Sequence, residues 1–598
     1  MVNCFLRKRT GIHRHMQIFF CAVMVLFPSV MAPCQEFPGL KTVSLASAKL
    51  SWGIALTGKV LSPPLLTGDG YAAVSEGNII TVFNNDGKII WKKEFEEEIC
   101  PLLSNGHGGM LYLISPGGKL LMLRSGGSVV WKSDAGFEIT KEAFAAKDGR
   151  VYAFGDDKAA CFGIKGIRRW TLDLPGISRS LYPVELDDGT LVIFMEKKDE
   201  DGNTVMVTVS PFGEKGFYYS LPGTVSDART TPYGAVIGFS DGSAVLMRGS
   251  CGTVYYDWMT DTETKSPVKI FYDPVSGSTL ILSGKKALNV DAATGKTISE
   301  FSIFCGTESA GYISINAMGL VTADSSYAVC YTFSGEPEWI SKLNQKRKWD
   351  YVSASDDGHL FFCTKNWLIE SYRVKQIPSL YGFSFDPPPS GDYSALYDKM
   401  DPNTGRNAYK GLFTADQISC VKKAFSEGDF SGSEKKWLSM LTDEIGAVEG
   451  AWFQSISQTQ TEKSYLSSDM DYVSKILDLA SESGTGLFQK NIASLIHGTT
   501  DARRMEILVK TAGKTAFDPD FLMLSEMEKI VLKYNGADTI LTMICDAAVE
   551  ICSFMGRRAF DAKGRSILTA MINSRYSVQV RTAAMESLEK LRKILSEQ

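Results

Sequence analysis

Five histidines, His13, His15, His107, His359 and His497, are the whole supply of imidazole in 598 residues. The last three lie far apart in sequence, so a histidine-based relay or a His-rich metal site has little to draw on. Past the amino-terminal segment nine cysteines remain, Cys100, Cys161, Cys251, Cys305, Cys330, Cys363, Cys420, Cys545 and Cys552. Their number is odd and no CxxC occurs, which argues against both a disulfide framework and a thiol metal site. Cys545 and Cys552 fall on one expected helix, separated by about 10 Å of rise, which exceeds disulfide reach. Carboxylate runs at Glu96, Glu97 and Glu98 and from Asp199 to Asp201 could supply acid and base. Between short strands, however, such runs read as solvated turns. Lys346, Arg347, Lys348 and Trp349 form a brief basic-aromatic patch, but the net charge of −5 gives no footprint for a polyanion, and nucleic acid is not an expected partner. No Walker loop or nucleophile elbow is present, and GGSVVW (Gly126 to Trp131) is too short a glycine cluster to cradle phosphate. No catalytic, cofactor-binding or metal-ligating residue is assigned, and no cofactor is expected.

The elements behind these residues are repetitive. A glycine is followed four residues later by an aromatic in Gly87/Trp91, Gly127/Trp131, Gly166/Trp170, Gly213/Phe217, Gly252/Tyr256 and Gly335/Trp339, while Gly295 leads to Ser299. These glycines stand 40, 39, 47, 39, 43 and 40 residues apart, the long step holding the charged insert Glu196 to Asn203. A second series, Gly70, Gly109, Gly149, Gly189, Gly234, Gly277, Gly319 and Gly358, precedes a short β-branched or aromatic run in each of eight units. Seven residues before the first-series glycine stand Ile80, Leu120, Ala159, Met206, Val245, Leu288 and Ala328, all apolar, as one buried strand face requires. Five residues before it stand Val82, Met122, Cys161, Thr208, Met247, Val290 and Cys330, so two thiols fill hydrophobic positions. Four short strands every forty residues or so, without a helix, predict β-propeller blades, eight in number with seven as the alternative. Trp52 lies 39 residues before Trp91, and the last unit lacks its own closing anchor. The amino-terminal strand is therefore expected to complete the last blade and leave no open end.

DGKIIW (Asp86 to Trp91), GGSVVW (Gly126 to Trp131), SGEPEW (Ser334 to Trp339) and VDAATGK (Val290 to Lys296) resemble the quinoprotein-like, PQQ-type β-propeller repeat over about residues 41 to 375. The resemblance implies that Trp91, Trp131, Trp170 and Trp339 pack blade against blade, with Ser299 in place of the aromatic in one copy. It also implies an enzyme alternative, a quinoprotein dehydrogenase with PQQ and calcium in the channel. Such enzymes commonly carry a vicinal cysteine disulfide, and no adjacent cysteines occur here. Among non-catalytic members the chain is similar to the propeller subunits of bacterial outer-membrane barrel-assembly machines, from which it departs by a long helical addition and a poor lipobox.

Arg7, Lys8, Arg9 and Arg14 before the apolar run Ile18 to Ala32 read as a secretory signal spanning 1–34, cut after Ala32 or after Cys34. Pro33 disfavours a lipoprotein at Cys34. No Asn-x-Ser/Thr sequon occurs, which leans towards bacterial export. The propeller is placed at 36–375 and a Pro-rich linker, with FDPPPSGDYS (Phe385 to Ser394), at 376–412. An α-helical domain, a bundle or short α-solenoid, fills 413–598, where only 11 of the 54 glycines fall. Helices are expected at about 414–427, 433–457, 469–482, 486–497, 502–512, 520–534, 538–556 and 563–573. A last one carries the stripe Val580, Ala584, Leu588, Leu591 and Leu595, and SVQVRTAAMESL (Ser577 to Leu588) resembles half of a HEAT-type repeat. The fold class is thus multidomain, β plus α. The expected function is a non-catalytic exported scaffold joining proteins in the periplasm or envelope, with outer-membrane assembly as the setting that the resemblance implies. Its partners would be envelope or outer-membrane proteins, with peripheral membrane association compatible and the oligomeric state open. The alternatives are the PQQ- and calcium-dependent oxidoreductase and a sensor binding a small ligand in the channel.

Overall fold

The computed structural model describes residues 49–373, 412–454 and 470–596, apart from 68–69, 107–108, 125, 251–252, 274–275, 304–311, 317–318, 324–326, 343–350, 355–358, 365–366, 431 and 535. The signal segment, the linker 376–411, Trp349 with its basic neighbours, Gly252, Gly358, His107, Cys251 and Cys305 lie outside the described residues. Thirty-two strands form eight four-stranded antiparallel sheets. Numbered along the chain, β2 to β5 (Leu65–Leu66, Tyr71–Ser75, Ile79–Phe83, Ile89–Glu94) make blade 1, and each following set of four makes the next blade through β29 (Pro337–Lys342). The eighth blade combines β30 (Tyr351–Ala354), β31 (His359–Cys363) and β32 (Leu368–Arg373) with β1 (Lys49–Ala55) as its outermost strand. Eight blades and closure by the amino-terminal strand are therefore observed, and seven is set aside. Lys49 pairs with Arg373 and Ala55 with Leu368, so hydrogen bonds tie the two ends of the ring together.

Burial on both faces explains the blades. Ile80, Leu120, Ala159, Met206, Val245, Leu288 and Ala328 are all buried, as are Val82, Met122, Cys161, Thr208, Met247, Val290 and Cys330. Third strands thus present an apolar face to the neighbouring blade in every copy. A bulge recurs beside each turn into the outermost strand, as between Val82 and Phe83, Met122 and Leu123, and Cys161 and Phe162. It re-aims the aromatic that follows. The indole N–H of Trp52 donates to the carbonyl of Asn85 at 2.7 Å, Trp131 to Ile164 at 3.0 Å, Trp170 to Pro211 at 2.9 Å and Trp258 to Ala292 at 3.1 Å. Each ring lies on the glycine of the next blade. A Cβ on Gly166 would stand 2.5 Å from the Trp131 ring, and Gly166 has φ +77°, so this residue must be glycine on both counts.

The aromatic positions need correction in three blades. Phe217 and Tyr256 are exposed, and Ser299 donates to the Phe333 carbonyl at 2.7 Å without covering a glycine. The residue two places on does the packing instead. Tyr219 is half-buried against the blade 4–5 core, Trp258 lies on Gly295 and Phe301 on Gly335. Side chains alternate along a strand, so a shift of two residues keeps the same face. The side chain of Trp339 is not described, and its backbone pairs with Cys330.

Nine helices follow among the described residues, numbered α1 (Ala415–Glu427), α2 (Glu434–Gln454), α3 (Met470–Glu482), α4 (Gln489–Gly498), α5 (Ala502–Thr515), α6 (Leu522–Lys533), α7 (Asp538–Met555), α8 (Arg557–Met571, with a π-turn at Phe560–Gly564) and α9 (Val578–Ser596). Thr414 and Gln417 close a reciprocal capping box on α1, with amide-to-side-chain bonds of 3.2 and 2.9 Å. Odd helices pack in order, α1 on α3, α5, α7 and α9, and even helices likewise, α2 on α4, α6 and α8. This is a two-layer α-solenoid. Val580, Ala584, Leu588 and Leu591 are buried as the stripe predicted. Two boundaries differ from expectation for a reason. The α4 helix begins at Gln489 because Gly484 and Gly486 are engaged with the propeller, and α8 begins at Arg557 because its wide turn lets Gly564 approach Cys552.

Candidate functional site

Counting strands from the channel outward, the turns between first and second strands and those between third and fourth strands share one face of the ring. On that face blades 3 and 4 hold the solenoid by its odd-to-even loops. The backbone of Ile164 donates to Gly484 at 3.0 Å and that of Gly486 to Asp148 at 2.7 Å, so propeller turns and helix loops share hydrogen bonds. Gly428, ending α1 at φ +78°, passes close to Arg168, where a Cβ would stand 2.6 Å from its carbonyl oxygen. Phe517 fills the space beside Gly149 and Gly486. Lys165 pairs with Glu482 at 3.4 Å and Lys435 with Glu214 at 3.3 Å at the edge of the joint. One continuous apolar cluster runs from Tyr112, Phe162 and Ile164 through Phe425 and Phe430 to Leu591, so the two parts share a core.

Two buried arginines sit in this joint. Arg169, on β13 (Arg168–Asp173), stands 4.6 Å over the Phe430 ring and 5.7 Å over Phe425, donates to the Ser483 carbonyl, and approaches Glu434 at 3.6 Å. Burial pulls its guanidinium below the ordinary arginine value, against the opposing pull of Glu434. Arg150, fully buried just before β11 (Val151–Phe154), pairs with Asp148 at 3.0 Å, donates to the Pro211 carbonyl and lies 5.0 Å over Phe212. It fastens blade 3 to blade 4 directly behind the joint. Sequence reasoning missed Arg150, Arg169 and Glu434. For Arg169 the available signal was a cation at the strand position where Ile90, Val130, Tyr255 and Ile298 stand in other copies.

Innermost strands β10 (Phe144–Ala145), β14 (Val184–Glu185) and β18 (Val225–Thr231) of blades 3 to 5 line a cavity of about 350 Å³ in the channel. Its walls are mostly apolar, with Glu142, Tyr182 and Arg229 as the polar members. Burial raises the Glu142 carboxyl, while the Tyr182 hydroxyl bonded to it and the Arg229 charge pull it back. Burial and Glu142 together raise the Tyr182 phenol. Arg229 lies 3.6 Å from Asp227. Beside the mouth, burial lowers the Lys141 amine to about 8, and the amine donates to the Leu181 carbonyl at 2.8 Å. These groups can orient a small polar ligand. They do not fit a calcium and quinone centre, for calcium takes about six to eight oxygen ligands and this lining offers one carboxylate with a guanidinium beside it. No cluster of three or more His, Cys, Asp or Glu with metal-binding geometry occurs among the described residues.

The other chemistry-bearing residues are placed as structure. Glu97 is salt-bridged to Lys119 at 2.9 Å and to Lys132 at 3.4 Å, and Asp199 accepts the amides of Asp201 and Asn203 within its own turn. His497 meets Glu526 at 2.9 Å on the solenoid surface. Cys161, Cys330, Cys363, Cys545 and Cys552 are buried, and burial raises the thiols of Cys545 and Cys552 to about 12. No described helix is long and apolar enough to cross a membrane.

The sequence model of a PQQ-type family described as outer membrane protein assembly factor BamB matches residues 30–151, a stretch ending at the first residue of β11. BamB from Moraxella catarrhalis is similar in structure at 13% identity and a TM-score of 0.39, over 55% of this chain and 99% of that one. Sqt1 from Saccharomyces cerevisiae is similar at 10% identity and a TM-score of 0.37, over 56% of this chain and 100% of that one. No curated protein matches the sequence.

Proposed function

We propose that the protein is an exported, non-catalytic scaffold of the bacterial envelope, built from a propeller at 36–375, a linker at 376–412 and a HEAT-like solenoid at 413–598. Its role is to hold other proteins in a fixed arrangement. The observation that carries this reading is the joint. A propeller and an α-solenoid, each a broad recognition surface, are fused through a shared core and the buried Arg169–Glu434 pair rather than left to move on a linker. A rigid frame of this kind suits a bridge between partners. The secretory signal at 1–34 and the match to a family described as an outer-membrane assembly factor support an envelope address, with outer-membrane assembly as the setting.

The test is affinity capture by the intact mature chain from envelope extract, beside a variant with Arg169 and Glu434 both replaced by alanine to loosen the joint. Reproducible partners on the intact chain, some of them lost from the loosened variant, support a composite scaffold. An empty capture from the intact chain refutes it. The cavity with Glu142, Tyr182 and Arg229 favours a second reading, a sensor for a small polar ligand. A ligand panel that raises the melting temperature of the wild type but not of Arg229→Ala would establish it.

A further inference from the structure

The outermost strands of a propeller expose backbone donors and acceptors on one side, and proteins protect such edges with short length, lysine, arginine or proline. Most outer strands here obey that rule. Lys92 and Lys93 stand on β5, Lys132 on β9 (Val129–Asp134), Arg168 and Arg169 on β13, Lys215 on β17 (Lys215–Ser220), Pro337 and Lys342 on β29, and Lys49 on β1. The exception in length and composition is β21 (Thr253–Asp261), the outer strand of blade 5. It has nine residues, TVYYDWMTD, with no lysine, arginine or proline, against six in β25, the other strand without them. Among the described residues only β20 (Ser243–Ser250) pairs with it. Along it Tyr255 is 46% exposed and Met259 is 63% exposed, while Trp258 between them turns inward to dock on Gly295. Blade 5 therefore holds the strand firmly by its inner face and leaves a long, half-apolar edge in solvent, with one bulge at Asp257.

The charge around that edge decides what it can receive. From Asp241 to Glu263 the hairpin carries four carboxylates, Asp241, Asp257, Asp261 and Glu263, against Arg248 alone. Arg248 meets Asp257 at 2.8 Å and Lys286 reaches Glu263 at 3.7 Å, while Asp241 and Asp261 accept backbone amides of their own turns. A second copy of the strand, antiparallel about its middle, would set Asp257 against Asp257, and like charges directly opposite destabilise a pair. A strand bearing lysine or arginine meets no such penalty. We propose that β21 is a docking edge at which an extended, basic segment of another protein adds as a fifth strand to blade 5, with backbone hydrogen bonds giving affinity and the acidic edge selecting the charge. This rests on the scaffold reading and names the chemistry of one of its partners.

The test is hydrogen exchange of the intact chain with synthetic nine-residue peptides. One alternates valine and threonine with lysine at both ends, one has glutamate for lysine, and one carries proline at alternate positions. The expected result is at least tenfold slower exchange of β21 amides with the lysine peptide. Protection should be weaker with the glutamate peptide, absent with the proline peptide, and absent in Met259→Lys, whose exposed position tolerates the change. Failure of the lysine peptide to protect β21 overturns the proposal, as does equal protection by the proline peptide or the glutamate peptide. Concentration-dependent protection without peptide also overturns it, because a second copy would then occupy the edge. None of these outcomes bears on the envelope capture, which decides the scaffold reading by whatever surface the partners use.

Discussion

Replacing Arg169 by alanine removes the cation that pins the solenoid to blade 3. The Arg169 side chain is 1% exposed and that of Glu434 is 5% exposed, with 3.6 Å between them. Two unit charges at that separation attract by about 4 to 5 kcal/mol at an effective dielectric of about 20. Breaking a buried pair costs about 3 to 5 kcal/mol, because the remaining charge stays in the low-dielectric joint without its partner. The Ser483 carbonyl and the rings of Phe425 and Phe430 lose their cation as well. Arg169→Ala and Glu434→Ala should therefore each lower unfolding free energy by about 3 kcal/mol or more. The paired replacement Arg169→Met with Glu434→Leu, which removes both charges and keeps apolar volume, should cost about 1 kcal/mol or less. The assay is urea unfolding of the intact chain, followed by tryptophan fluorescence, to which the propeller contributes eight of the ten tryptophans, and by helical circular dichroism for the solenoid. Wild type should unfold with the two probes coincident, and Arg169→Ala should separate them. A cost below about 1 kcal/mol for the single variants, or singles and double that simply add, would refute the joint as a coupled buried pair.

Trp131→Ala should cost about 3 to 5 kcal/mol in the same assay, since it empties a blade-to-blade contact and its bond to the Ile164 carbonyl. Phe217→Ser, on an exposed ring, should change stability by no more than about 0.5 kcal/mol. Asp518 is buried, and burial raises its carboxyl to about 6, against a value of about 3.9 in an unfolded chain. Between those values the native state binds more protons, so this group's contribution to stability is full below about pH 4 and is lost as pH rises through 6. Comparison of wild type with Asp518→Asn between pH 4 and 7 should show the variant gaining relative to wild type as pH rises. Thiol labelling of the native protein with mass mapping should modify exposed Cys420 quickly, and Cys161, Cys330, Cys363, Cys545 and Cys552 only on unfolding.

The ring was readable because a blade repeats. Positions such as Ile80, Leu120 and Ala159 recur at a fixed distance from a glycine that must adopt positive φ, so periodicity reports burial directly. The docking residues Tyr219, Trp258 and Phe301 stand two places beyond the position that the glycine spacing singles out, and spacing alone cannot distinguish two positions on the same strand face. The helices followed from apolar stripes, but their stacking into two layers depends on contacts between segments far apart in sequence. The joint was invisible for a related reason. Arg169 and Glu434 are separated by hundreds of residues, and neither a lone arginine beside Trp170 nor a glutamate at a helix start announces a buried pair. The lining of the channel cavity likewise comes from three blades, each supplying three consecutive residues with no local motif.

The most direct test of the scaffold claim is in-cell photo-crosslinking, with a photoreactive residue placed singly at Phe217, at Met259 and at Phe425. The first two positions are solvent-exposed on the propeller rim, and the third is buried in the joint. The account predicts discrete, reproducible adducts with envelope proteins from at least one rim position, and from Phe425 only crosslinks within the chain. A native, correctly exported protein that gives no intermolecular adduct from either rim position, or one whose Phe425 reaches other proteins, would contradict it.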